Sequence, residues 1–239
     1  MSNALVIIPT YNEIENIEAI IRAVFSQEKQ FDILIVDDSS PDGTNTTVKK
    51  LQQEFSNLFL EVRKEKNGLG TAYIHGFKWA LAKEYEYIME MDADFSHNPE
   101  DLIRLYNACA VDGADYSIGS RYLNNKINVV NWDFKRLFLS YFASKYVRII
   151  TQTPIFDTTA GFVCYHRKVL ESINLDKIEF VGYAFQIEMK FNAWKRKFNH
   201  KEVSIIFTDR KRGVSKMSTS IISEAVFGVI KMKLKGLPK

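Results

Sequence analysis

The chain has 239 residues, of which 46% are hydrophobic and 26% charged, a composition typical of a folded globular protein and not of a disordered one. Its 32 Lys and Arg residues against 29 Asp and Glu residues give a net charge of only +3, which is too even for a nucleic-acid-binding protein. The two cysteines show no metal-ligand spacing, which argues against a zinc centre.

The first half of the chain alternates between short apolar runs and helical spacing. The apolar runs predict five strands, at residues 4–8, 31–36, 58–62, 85–91 and 116–119. Helical spacing predicts helices between them, at about 14–24, 44–55 and 69–83, and Asn98 with Pro99 predicts the capped start of another. This alternation implies an α/β fold, with a mostly parallel sheet flanked by helices.

The pattern changes after Arg121. Sequence patterning then predicts, in order, a helix, a strand, a helix and a strand, at 132–150, 157–165, 181–195 and 203–207. A polar, basic loop over 208–216 follows and is too charged to belong to a core. We therefore predict one domain over residues 1–217 and a functional tail over 218–239.

The tail has apolar residues at helical spacing from Ile221 to Ile230, followed by lysines. A helix that is apolar on one side and basic at its end is typical of a membrane interface. A second, aromatic-rich stripe runs from Phe134 to Phe142. Either stripe also fits packing against the core or another subunit.

The sequence also bears on where the protein meets a membrane. The first residues lack a basic leader, and no run approaches the ~18–20 apolar residues that cross a bilayer. We therefore expect a cytoplasmic protein whose contact with the cytoplasmic face of a membrane is peripheral or is made through a separate membrane subunit.

Acidic residues follow three of the predicted strands. Glu13 follows the first strand, Asp37 and Asp38 follow the second, and Asp92 and Asp94 follow the fourth. Because ligands of such sheets bind beyond the carboxyl ends of the strands, we expect these side chains at one edge. Crowded carboxylates repel each other unless a cation lies between them, and a divalent cation that also binds substrate phosphates meets that need. The competing interpretation is that each cluster only ends a strand or caps a helix.

These acidic clusters belong to segments that resemble the family 2 glycosyltransferases, whose fold is the Rossmann-like GT-A fold. The segments are VIIPTYNE (6–13), IVDDSSPDGT (35–44), NGLG (67–70) and MDADFSH (91–97). A narrower resemblance, to the dolichol-phosphate or polyprenol-phosphate mannose synthases, rests on GSRY (119–122), WDFKR (132–136), GYAFQIEM (182–189) and DRKRGVSK (209–216). It implies an inverting, metal-dependent transfer of mannose from the donor GDP-mannose to a polyprenyl monophosphate.

The resemblance also implies roles for residues in the donor half. Pro9, Tyr11 and Glu13 would hold the nucleoside, with Asp37 at the base and Asp38 near the ribose.

For the metal, the resemblance implies that Asp92 and Asp94 ligate Mg²⁺ or Mn²⁺ between the phosphates of the donor. Some relatives place a Gln ligand where this chain has Ser96. Because a hydroxyl is a weaker ligand than an amide carbonyl, water is an alternative to a third protein ligand.

The acceptor half is expected to bind a phosphate. A phosphate monoester is largely dianionic at neutral pH, so as a nucleophile it needs arginine and lysine around it rather than a general base. The resemblance implies that Arg121, Arg136 and Ser140 grip the lipid phosphate, while Arg210 and Lys216 reach phosphates of donor or acceptor.

Other functions were weighed against this one. A dinucleotide-binding oxidoreductase requires a glycine-rich fingerprint after the first strand, and this chain has none there. A related transferase that uses UDP-glucose or another UDP-sugar stays open, because the sequence does not distinguish guanine from uracil. A non-catalytic, nucleotide-binding membrane-docking module would require a metal site that no longer binds metal.

Overall fold

The predicted strands do assemble into one sheet. The computed structural model of the protein describes residues 2–123, 127–182, 184–209 and 219–236, and in the last helix it describes side chains from residue 227 onward. The strands are β1 (Ala4–Thr10), β2 (Asp32–Asp37), β3 (Leu58–Val62), β4 (Tyr87–Glu90), β5 (Tyr116–Ser120), β6 (Val129–Val130), β7 (Val163–His166), β8 (His200–Ser204) and β9 (Phe207–Thr208). The α-helices are α1 (Ile17–Phe25), α2 (Thr44–Leu51), α3 (Leu69–Ala82), α4 (Asp101–Ala110), α5 (Phe134–Thr151), α6 (Arg167–Ser172), α7 (Ala184–Lys195) and α8 (Thr219–Lys235).

The order of strands in the main sheet is β3-β2-β1-β4-β7-β5-β8. Neighbouring strands run parallel except β7, which is antiparallel to both β4 and β5. Strands β6 and β9 form a separate parallel pair. The mostly parallel α/β sheet expected from the sequence is therefore confirmed, and the carboxyl ends of β2, β1 and β4 lie side by side at one edge.

The central strands are apolar on both faces. In β1, Val6 and Ile8 face a core formed with α1, α2 and α4, while Leu5 and Ile7 face a core formed with α3, α6 and α7. A strand with helices on both sides has no solvent face, so its sequence is a continuous apolar run. Helix α3 approaches β1 so closely that a Cβ at Gly76 would lie 2.7 Å from Ile7 Cγ2.

Several predicted elements differ from the structure in position. The strand predicted at 157–165 forms only as β7, over Val163–His166. Helix α4 begins at Asp101 rather than at Asn98, because the Asn98 side chain accepts a hydrogen bond from the Glu100 N–H (3.2 Å) and holds a turn. The predicted strand at 203–207 is replaced by β8 and β9. Strand β8 is an edge strand whose residues are largely part-exposed, so it lacks the apolar run that marks a buried strand.

The described end of α8 packs against α5 and α7. Val229 and Met232 are buried in a small cluster with side chains of α5 and α7. Lys231 and Lys235 both bind Glu179, with N–O distances of 2.7 Å each. This part of the tail is therefore docked by apolar and ionic contacts, and its proposed role at a membrane interface stays a prediction.

Exposed apolar side chains remain on α5 and α8. On α5, Phe134, Phe138 and Phe142 are spaced one turn apart and are 77%, 54% and 44% exposed. On α8, Phe227 and Leu234 are exposed. Within the described part of the chain, no helix combines the length and the apolar character that a membrane crossing requires.

Candidate active site

The loops after β1 and β2 are tied to each other at the carboxyl edge of the sheet. The Asp38 N–H donates to the Thr10 carbonyl oxygen (3.0 Å), and the Glu13 N–H donates to Thr44 Oγ1 (3.0 Å). Tyr11, in the same loop, lies beneath the Lys66 ammonium, whose nitrogen is 4.2 Å from the ring centroid. The segment that carries Pro9, Tyr11 and Glu13 is therefore fixed beside Asp37 and Asp38, and its role in holding a nucleoside stays a prediction.

Asp37 organises this edge from inside the protein. It is fully buried, and its carboxylate accepts hydrogen bonds from Thr10 Oγ1 (2.8 Å), the Ser40 N–H (2.9 Å) and Asn45 Nδ2 (3.3 Å). These bonds hold the turn after β2, so the side chain has a structural task. A direct contact between Asp37 and a nucleotide base stays a prediction.

Asp38 is bound by an arginine that the sequence reading missed. Arg63 Nε and Nη2 donate to the two Asp38 oxygens (2.6 and 2.7 Å), and Arg63 Nη1 donates to Thr71 Oγ1 (2.8 Å). Burial raises the pKa of the Asp38 carboxyl, and the Arg63 guanidinium offsets part of that rise. Arg63 directly follows β3, so the strand-end rule, applied to basic residues as well as acidic ones, would have found it.

The turn after β4 carries Asp92 and Asp94. Asp94 is largely buried, and its Oδ1 accepts the Ser96 N–H (3.1 Å). The Asp92 N–H donates to His97 Nδ1 (3.2 Å), and the His97 ring stacks on Phe162 with centroids 4.7 Å apart. Burial lowers the pKa of His97 to about 4, so the ring is neutral at pH 7 and Nδ1 is free to accept. His97 therefore holds the backbone of this turn.

The described residues fit a divalent cation that a substrate helps to bind. Among them, no group of three or more His, Cys, Asp or Glu side chains is placed to hold a metal ion. Mg²⁺ in phosphate-transfer sites is typically bound by one or two carboxylates together with substrate phosphates and water, which is what Asp92 and Asp94 offer. Ser96 Oγ is buried without a hydrogen-bond partner among the described residues, so none of them competes with a ligand for it.

Arg121 follows β5 and is held by a buried aspartate that the sequence reading missed. Arg121 Nε and Nη2 each donate to an oxygen of Asp157 (2.7 Å), and the Arg121 backbone N–H donates to the same carboxylate (3.0 Å). Nη2 also donates to Thr159 Oγ1 (2.8 Å). Although burial alone would raise it, the nearby guanidinium holds the pKa of Asp157 below its ordinary value. Arg121 is therefore charged and held in one orientation before a ligand binds.

Arg136 and Ser140 lie one turn apart on α5, as predicted. The helix begins at Phe134, and the Asp133 carboxylate caps it by accepting the Arg136 N–H (2.9 Å). Arg136 Nη1 donates to Asp209 Oδ1 (2.8 Å). Ser140 Oγ accepts a hydrogen bond from the Tyr122 hydroxyl (2.8 Å). Arg210 and Lys216, predicted to reach phosphates of donor or acceptor, lie outside the described residues.

A cleft of about 940 Å³ has Asp94 and Asp209 among its lining residues. Asp209 is the carboxylate that binds Arg136. The turn after β4 and the partner of Arg136 therefore border the same cleft.

Gln186 and Glu188 have different hydrogen-bond partners, as expected for residues on different faces of a helix. Glu188 accepts the backbone N–H groups of Glu179 and Phe180 (3.0 Å each) and so holds the loop before α7. Gln186 accepts a hydrogen bond from the buried Lys190 ammonium (3.2 Å), which also donates to the Ala160 carbonyl oxygen (2.5 Å). Lys190 therefore supports the segment that carries Asp157, and no local sequence pattern marks this role.

The chain is similar to known proteins in both sequence and fold. A family model described as Glycosyl transferase family 2 matches residues 5–173. The polyprenol monophosphomannose synthase of Mycolicibacterium smegmatis is 46% identical, over 97% of this chain and 87% of its own length. The undecaprenyl-phosphate mannosyltransferase of Micrococcus luteus is 42% identical, over 96% of this chain and 93% of its own length.

Solved structures share the fold. A glucosyl-3-phosphoglycerate synthase from Mycobacterium tuberculosis, in complex with Mn²⁺, UDP and phosphoglyceric acid, superposes with a TM-score of 0.71 at 14% identity, covering 99% of this chain and 79% of that one. A mannosyltransferase from Pyrobaculum calidifontis, in complex with GDP-Man and Mn²⁺, gives 0.60 at 18% identity, covering 98% and 73%. The GT-A-like fold and the resemblance to polyprenol-phosphate mannose synthases are confirmed, and the chain belongs to glycosyl transferase family 2.

Proposed function

We propose that this protein transfers mannose from GDP-mannose to a polyprenyl monophosphate at a membrane surface, with inversion at the anomeric carbon. The similarity to two enzymes named for mannose and a polyprenyl phosphate, over nearly the whole chain, supports the sugar and the lipid. The observation in the structure that carries the phosphate acceptor is the pairing of Asp157 and Asp209 with arginines.

That pairing favours a phosphate nucleophile over an alcohol. An alcohol acceptor needs a general base, and Asp157 is a poor one because the Arg121 guanidinium holds its pKa below the ordinary value. A phosphate dianion needs no base and instead needs positive charge. Arg121 and Arg136 supply that charge, and Ser140 adds a hydroxyl on the same helix as Arg136. Arg210 and Lys216 are proposed to add two more cations.

The chemistry then is a single displacement. An oxygen of the lipid phosphate attacks the anomeric carbon of mannose, the bond from that carbon to the GDP oxygen breaks, and GDP leaves with the electron pair. Asp92 and Asp94 would hold Mg²⁺ or Mn²⁺, which when bound stabilises the charge on the leaving diphosphate. On the donor side, the nucleoside lies against Tyr11 and against the pair formed by Asp38 and Arg63.

The exposed aromatic stripe on α5 supports a site at a membrane surface. Phe134, Phe138 and Phe142 are exposed on the helix that carries Arg136 and Ser140. Exposed apolar patches of this kind mark interaction sites. We propose that this stripe faces the bilayer from the cytoplasmic side and that Phe227 and Leu234 of α8 add to the same contact, directly or through a membrane subunit.

The test is the transfer of radiolabelled mannose from GDP-mannose to a short-chain polyprenyl phosphate in detergent with Mg²⁺ or Mn²⁺. Lipid-soluble label is expected from the wild type and from Asp112→Ala, an exposed residue paired with Lys201, but not from Asp94→Ala. If only UDP-glucose yields labelled lipid, the donor is UDP-glucose rather than GDP-mannose. If label appears on polyprenol, which has no phosphate, the proposed phosphate acceptor is refuted.

A further inference from the structure

We propose that Trp132 is a positioning residue for the acceptor phosphate, because its indole ring holds the guanidinium groups of Arg121 and Arg136 at one site. This inference rests on the proposed function, in which both arginines bind the lipid phosphate. It also gives a task to the first residue of the WDFKR segment (132–136), in which Asp133 caps α5 and Arg136 binds the anion.

The central observation is that one ring lies against both cations. The Cζ atom of Arg136 is 4.4 Å from the centroid of the Trp132 ring, and the Cζ atom of Arg121 is 5.5 Å from the same centroid. Both distances fall within the about 6 Å over which an aromatic face attracts a cation, and tryptophan is the strongest aromatic partner. Trp132 is therefore the shared neighbour of two arginines that come from different parts of the fold.

The ring is itself held in place. Phe207 meets Trp132 edge to face, with centroids 5.4 Å apart, and its ring lies 5.5 Å from the Cζ atom of Arg121. The Trp132 Nε1–H is buried and has no hydrogen-bond acceptor among the described residues. A buried donor without an acceptor is costly, so an oxygen that reached it would be favoured. The Trp132 Nε1–H is therefore an available hydrogen-bond donor beside the two arginines that are proposed to bind the phosphate.

Each arginine keeps donors for a ligand. In the described part of the chain, Arg121 Nε and Nη2 donate to Asp157 and Thr159, and Arg121 Nη1 donates no hydrogen bond. Arg136 uses Nη1 on Asp209. Two guanidinium groups brought to one site repel each other before the phosphate arrives. The negative face of the ring, together with Asp157 and Asp209, offsets that repulsion and keeps both groups ready for one dianion.

The first test separates acceptor binding from donor binding. Initial rates of label transfer are measured for Trp132→Leu and Trp132→Phe, varying a short-chain polyprenyl phosphate at saturating GDP-mannose and then the reverse. The loss of two cation–π contacts should raise the KM for the lipid phosphate about tenfold in Trp132→Leu, with the KM for GDP-mannose within about twofold of the wild type. Trp132→Phe keeps a ring and should lie between the two. Equal shifts in both KM values, or a lower melting temperature without a shift in the lipid KM, would overturn the positioning role.

The second test needs no turnover. With Trp79→Phe and Trp194→Phe, Trp132 is the remaining tryptophan of the three, and its fluorescence is followed on adding short-chain polyprenyl phosphate or the matching polyprenol. A change with the phosphate and none with the polyprenol supports the proposal. An equal change with both would assign the ring to the lipid chain instead and overturn it. Absence of transfer by the wild type would reject the proposed function itself, while wild-type transfer with unchanged kinetics in Trp132→Leu rejects only this inference.

Discussion

Replacing Asp157 with asparagine removes the carboxylate that holds Arg121. The Asp157 oxygens accept three N–H groups of Arg121, and both residues are buried. In Asp157→Asn, the new amide places a donor against one of these donors, and the arginine charge loses its buried partner. Breaking a buried ion pair from one side costs about 3–5 kcal/mol. For a chain of this size, that corresponds to a melting temperature roughly 10 °C lower.

The assay is urea unfolding followed by circular dichroism, with label transfer measured in parallel. The matched control is Asp112→Asn, because Asp112 and Lys201 form an ion pair with side chains 47% and 51% exposed, worth less than about 1 kcal/mol. The pKa of Asp157 is lowered in the folded protein, so the stabilisation by this group is present above the ordinary aspartate pKa and is lost as pH falls below it. The difference between wild type and Asp157→Asn should therefore shrink below about pH 4. A difference under about 1 kcal/mol at pH 7, or one that does not shrink in acid, would refute the reasoning.

Three further outcomes are expected. Chelation with EDTA should stop label transfer, with Mg²⁺ or Mn²⁺ restoring it in the wild type but not in Asp94→Ala; transfer that continues in EDTA would contradict the metal site. Arg63→Ala should raise the KM for GDP-mannose about tenfold, because Asp38 loses two charged hydrogen bonds, and an equal rise in the KM for the lipid would argue against a donor role. Gly228→Ala should lower the melting temperature, because its Cβ would overlap the ring of Phe180; Phe180→Leu should recover part of the loss, and an unchanged melting temperature would show that α8 is not docked through this contact.

The donor edge was predictable because its signals are local. Apolar runs mark β1, β2 and β4 as buried strands, and the residues that follow them in a parallel sheet share an edge. Asp38, Asp92 and Asp94 could be placed there from their position after a strand alone. The burial of Asp37 could not be predicted, because its hydrogen-bond partners lie in β1 and at two positions after β2.

The partners of Arg121 and Arg136 were not predictable in the same way. Asp157 lies 36 residues beyond Arg121, in a Thr- and Gly-rich stretch that reads equally well as a strand. Nothing local distinguishes a carboxylate that binds metal from one that binds a guanidinium. The antiparallel direction of β7 could not be predicted from the sequence either. A buried strand has the same apolar run whether it is parallel or antiparallel to its neighbours.

The reversed direction of β7 has a consequence for how this enzyme family can vary. Strand β5 ends at the ligand edge, and β7 begins there beside it, with the Gly119 N–H bound to the Phe162 carbonyl oxygen (2.8 Å). Residues 121–162 therefore leave the sheet and return to it at the same place, as a very long hairpin connection. This segment holds Arg121, Trp132 and Arg136. Because the two ends of the segment are adjacent, its length can change without shifting the strands that carry Asp38, Asp92 and Asp94. It is not an independent unit, since Arg136 binds Asp209 and α5 packs on α8.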